Sequence, residues 1–166
     1  MATPSDASQP KGPLDSALPE KRITPVIPLH QVPDHILAVV ADVSHLIGFP
    51  ITLYMPWGIA TGHTCGYEEY FKHLGDTVRA GSQGAPDGLI KAIDTFAKNN
   101  FDRWAEESPE DRSARTFFDG VHLTSALVLK NAKCLLAGAE QPIHHNYLRL
   151  RLTDVTAFSW GSASWD

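Results

Sequence analysis

The sequence predicts an α+β domain: a small curled antiparallel sheet of about five strands with helices packed over it. Three observations carry that prediction. Residues 51–62 alternate side-chain character around a Pro56-Trp57-Gly58 turn. A second strand block spans residues 121–129 and 147–161, where Leu148, Leu150 and Leu152 alternate with Arg149 and Arg151. Between the blocks, residues 67–105 carry apolar side chains at helical spacing. Strands separated by a run of helices read as segregated α+β layers.

Taken in order, residues 1–31 form a proline-rich leader, with Pro4, Pro10, Pro13, Pro19, Pro25 and Pro28 among small and charged residues. Such a stretch has too little apolar surface to offset its ordering entropy, so it is expected to be disordered. Residues 32–166 form a single α+β domain with a helical insertion at 67–105. Residues 34–47 read as an amphipathic helix through Ile36, Leu37, Val40, Val43 and Ile47, with Gly48 at its end. The hairpin follows, and Gly62 in its return strand marks a bulge or a close backbone approach. Tyr67, Tyr70, Phe71, Leu74 and Val78 predict a helix over 67–78, with Glu68 and Glu69 on its solvated face. Asp87 caps a helix predicted over 87–104. Residues 106–115 read as a charged loop and residues 137–146 as a second loop. Val121, Leu123, Leu127 and Leu129 predict one alternating strand. A short turn at Thr153-Asp154 leads to a last strand over 155–160.

Composition limits the function. The net charge of −5 disfavours nucleic acid as the main partner, because phosphate binding needs a concentrated basic surface. No apolar run approaches the roughly 18–20 residues of a membrane span, and the first residues lack a basic-then-apolar leader. The expected compartment is the cytoplasm, with Cys65 and Cys134 reduced.

Chemistry-bearing motifs are missing. The histidines lack the spacing of a metal motif, the cysteines form no C-x-x-C, and no G-x-S-x-G elbow occurs. A histidine-dependent enzyme would need two of His63, His122, His144 and His145, or one of them with Cys65 or Cys134, to converge in a pocket. The expectation is therefore a protein with no catalytic, cofactor or metal residues. The residues singled out for partner contact are Trp57 at the hairpin tip, Tyr54 beside it, and Arg149 and Arg151. Two guanidiniums two residues apart on one strand can clamp a carboxylate or phosphate.

Read together, the hairpin from Leu53 to Gly62, the Tyr67-Glu-Glu-Tyr-Phe71 helix start, the Val121-His-Leu123 strand and the stretch from Leu148 to Gly161 resemble the gas-vesicle accessory protein U family. The family's two basic positions fall on Arg149 and Arg151, its late aromatic on Phe158 and its last glycine on Gly161. This chain departs from the family pattern at Leu148, Leu150 and Ala157. The resemblance implies a non-enzymatic accessory protein acting in gas-vesicle assembly or clustering, by binding shell protein or by self-association as a homo-oligomer. The alternative is a small Sm-like or SH3-like module that binds a peptide, oligonucleotide or small ligand.

Overall fold

A computed structural model describes residues 32–108, 110–112, 117–118, 121–122 and 124–164; the proline-rich leader lies outside the described residues. Helix α1 (His35–Val43) opens the fold. Strands β1 (Pro50–Met55) and β2 (Gly58–Cys65) form the hairpin. Helices α2 (Tyr67–Ala80) and α3 (Asp87–Ala97), a π-helical turn (Lys98–Asp102) and the single turn α4 (Arg103–Ala105) follow. Two short strands, β3 (Phe117–Phe118) and β4 (Val121–His122), pair with each other. Strands β5 (Ala126–Leu136) and β6 (Ile143–Arg151), a 3₁₀ turn (Leu152–Asp154) and β7 (Ala157–Trp160) complete the chain.

The predicted class holds: five strands form one antiparallel, unclosed sheet in the order β6-β5-β2-β1-β7. Pairing register sorts the side chains. Ile51, Leu53, Leu127, Leu129 and Leu150 share one face, and Leu37, Val40 and Ala41 of α1 complete a single core there. Thr52, Lys130, Tyr147, Arg149 and Arg151 fall on the other face. Helix α2 lies over that second face along β5 and β6, through Glu69 contacts to Lys130 and Tyr147. After β7 the chain crosses the same face farther along. There the Ala163 amide donates to the hydroxyls of Thr52 and Thr61, both at 3.1 Å.

Several expected boundaries move, each for a local reason. Asp34 caps α1, its carboxylate accepting from the amides of Ile36 and Leu37 at 2.8 and 3.1 Å. The helix stops at Val43 rather than Ile47. The Ser44 hydroxyl bonds the Ala41 carbonyl and the Cys65 carbonyl at the end of β2, which anchors the turn and leaves Leu46 and Ile47 exposed. The helix expected over 87–104 is interrupted by the π turn, which brings Asp102 to Arg79 of α2. The strand expected over 121–129 is broken: β4 belongs to the small second sheet and β5 starts at Ala126. Strand β5 then runs on to Leu136, so the loop expected over 137–146 shortens to 137–142. Opposite Gly62, β5 carries one extra residue, Asn131, with φ of 50°. A Cβ at Gly62 would lie 2.9 Å from the Lys130 carbonyl oxygen, so the bulge requires glycine there.

Candidate binding groove

The hairpin tip is held from below. Gly58 has a φ of 150°, and a Cβ there would collide with the Leu135 carbonyl, so only glycine lets β2 approach β5 this closely. The carbonyl of Trp57 accepts from the Ala137 amide at 2.9 Å. Between these anchors Trp57 is 36% exposed, so it is neither free in solvent nor core.

Strand β6 supplies the arginines. Leu148 and Leu150 alternate toward the core, and this places Arg149 and Arg151 on the opposite face, opposite Val128 and Ala126 of β5. Both arginines are exposed. Trp57, Arg149 and Arg151 line one open concavity of about 710 Å³, together with Ser125, Thr153 and Asp154. Three of the four residues singled out from sequence therefore meet. Tyr54 does not: it is 41% exposed on β1, outside the walls of this concavity, and its backbone carbonyl accepts from Thr156.

Arg149 and Ser125 also line a second cavity of about 400 Å³, walled by Tyr67, Tyr70, Phe71 and Trp104. The two hollows thus share Arg149 and Ser125 as a common wall, with an aromatic chamber on one side and the Trp57 tip on the other; the two together are termed the groove. The helix expected to bury Tyr67, Tyr70 and Phe71 leaves all three half-buried. An aromatic rather than aliphatic stripe was the sequence signal for this chamber, because large rings bridge a gap that smaller side chains leave open.

The groove's polar groups are held in place by one another. The Tyr67 hydroxyl donates to the Ala126 carbonyl, beside the Arg149 guanidinium. Burial raises the Tyr67 pKa, and the Arg149 charge opposes that rise. Arg149 keeps most of its five N–H donors for other acceptors, and among the described residues it forms no ion pair with a carboxylate. Arg151 has one distant carboxylate, Asp154 at 4.0 Å.

Glu68 and Glu69, expected to be solvated, are both engaged. Glu68 accepts from Arg112, a buried arginine in the segment expected to be a charged loop. Burial would raise the Glu68 carboxyl, but the Arg112 guanidinium and a backbone hydrogen bond outweigh it and hold it below the usual range. Glu69 accepts from Tyr147 at 2.8 Å and Lys130 at 3.3 Å. Burial and the Glu69 carboxylate push the Tyr147 hydroxyl up to about 12.

The histidines expected in a loop, His144 and His145, lie on β6 opposite Lys133 and Ala132, and so on opposite faces. Cys65 is buried beneath α2 with its thiol pushed up to about 12 by desolvation and then by Glu69, and Cys134 is buried on the core side. Among the described residues no three histidine, cysteine or acidic side chains come together to hold a metal ion. Nor is any described helix long and apolar enough to cross a membrane. No family model matches this chain, and no curated protein or solved structure matches it either.

Proposed function

We propose that the protein is a non-enzymatic, cytoplasmic accessory protein of the gas-vesicle U type, which acts in vesicle assembly or clustering by binding shell protein or a further copy of itself through the groove. One observation carries this reading. The stretches that resemble the family are the ones that build the groove: the hairpin contributes Trp57, the helix start Tyr67, Tyr70 and Phe71, and the late strand Arg149 and Arg151. The groove's chemistry suits binding rather than proton transfer. Guanidiniums stay protonated at all working pH values, and the tyrosine hydroxyls beside them hold their protons more tightly than usual.

The test is co-sedimentation of the purified protein with purified gas vesicles across a salt series, with an unrelated acidic protein as control. Saturable binding that weakens with salt is expected, because Arg149 and Arg151 are exposed charges. No binding at any salt would overturn direct shell binding. The open sheet, whose last strand returns to pair with its first, favours a second reading as an Sm-like or SH3-like module for a peptide, oligonucleotide or small ligand. That reading takes over if the groove binds such a ligand while vesicles do not bind.

A further inference from the structure

We infer that the groove takes an extended acidic protein segment, added as a sixth strand along β6, with carboxylates on alternate residues and an aromatic or large apolar side chain two residues beyond them. The inference rests on the groove being the binding surface proposed above. Three features of the structure lead to it.

The first is the edge. Strand β6 pairs only with β5 among the described strands, so no described strand takes the backbone donors and acceptors on its outer side along Ile143–Arg151. Such an edge is a template for an added strand, which gains affinity from main-chain bonds and specificity from alternate side chains.

The second is charge. Arg149 and Arg151 are two residues apart on one face, about 7 Å along the strand. An added strand has the same repeat, so its residues i and i+2 stand opposite the two guanidiniums, and carboxylates there form charge-assisted pairs. Asp154 and Glu107 also line the hollows, so within a chain of net charge −5 the attraction for carboxylates is confined to Arg149 and Arg151.

The third is the chamber. Tyr147 continues the Arg151, Arg149 series on the same face, and its ring lies beside Tyr70, at 6.4 Å between centroids. Tyr70, Tyr67, Phe71 and Trp104 wall the cavity that begins at Arg149. Tyr70 both walls the chamber and flanks Tyr147, so the third same-face side chain of an added strand, opposite Tyr147, is placed against the chamber's Tyr70 wall. At about 400 Å³ the chamber has room for an aromatic ring.

A nucleic-acid strand also offers anions and rings, but it needs a run of cations along its backbone. Here the next lysine along the face, Lys130, is already paired with Glu69.

The test uses fluorescence anisotropy on the full chain. The probe is a labelled peptide with the alternation Glu-Thr-Glu-Thr-Phe; controls are a peptide of identical composition with adjacent glutamates, its Gln analogue, and a single-stranded oligonucleotide. The alternating peptide is expected to bind at least about tenfold more tightly than every control. Hydrogen exchange should slow at β6 amides in the complex. Paired Arg149→Glu and Arg151→Glu changes should abolish binding and transfer it to the Lys-Thr-Lys-Thr-Phe peptide, which also proves the variant folded.

Equal binding of the scrambled or neutral peptide overturns the inference, as does preferential oligonucleotide binding or a charge swap without rescue. Vesicle binding that survives the double reversal overturns the acidic-strand assignment while leaving the accessory reading intact. Peptide binding as described with no vesicle binding supports the assignment and removes the accessory reading instead.

Discussion

Trp57 shows how a single side chain is divided between stability and contact. Its backbone is fixed by Ala137 and by the glycine after it, so the ring's position does not depend on what the ring itself touches. About a third of its surface is exposed, and the residue lines the groove. Trp57→Ala is therefore expected to lower the melting temperature by less than about 5 °C, while costing partner binding about 2 kcal/mol, as truncating a groove tryptophan does. A larger thermal loss would mean that the ring is core. Glu68 behaves differently, because its partner is the buried Arg112. Its carboxyl has a lower pKa folded than unfolded. The stability it contributes is thus complete above the unfolded carboxyl's pKa of about 4.3 and is lost as pH falls through the folded value. Glu68→Gln is expected to cost about 1–3 kcal/mol at neutral pH, and melting curves of the two proteins should converge as the pH drops below about 4.

At the scale of elements, the helix positions and the facing of the late strand were legible, and how the helical layer packs was not. Leu148, Leu150, Arg149 and Arg151 point as their alternation required, because a half-buried strand allows only one of its two faces to be apolar. Gly62 announced the close approach that the Asn131 bulge makes. Helix periodicity, by contrast, reports which residues prefer burial and not whether anything covers them. Leu89 and Phe96 follow the helical repeat of α3 yet are each 51% exposed. The groove was half legible for the same reason. Arg149 and Arg151 stood out by spacing, whereas Trp104, at the end of the predicted third helix, and Arg112, in the charged loop, reach it only through tertiary folding. What positions α3 is Arg79 on α2, which bonds Asp94 at 3.0 Å and also binds Asp102 across the π turn. A guanidinium shared by carboxylates of two further segments is a network, which is worth more than isolated surface pairs.

The whole molecule therefore has two tiers of stability. Every residue of the main core cluster comes from α1, the five-stranded sheet or the 3₁₀ turn that follows β6. Helix α2 buries Gly75 and α3 buries Ala97, and neither adds a large apolar side chain to that cluster. Regions with few buried apolar contacts open at lower free energy than the core. Native-state hydrogen exchange is expected to show α3 and the π turn opening first, with amides of β1, β2 and β5 slowest. Arg79→Ala should speed exchange in α3 further and leave the sheet unchanged; uniform acceleration would show a single cooperative unit. This division bears on binding, because the aromatic wall of the groove belongs to the weaker tier and the arginines to the stronger. A ligand that fills the chamber binds only the closed form, so it must stabilise α2 and α4 by mass action. A ligand held by Arg149 and Arg151 alone would protect β6 and leave the helices exchanging as before. Exchange measured with the acidic peptide present thus reads out which half of the groove is occupied, and protection of both halves is the expected result.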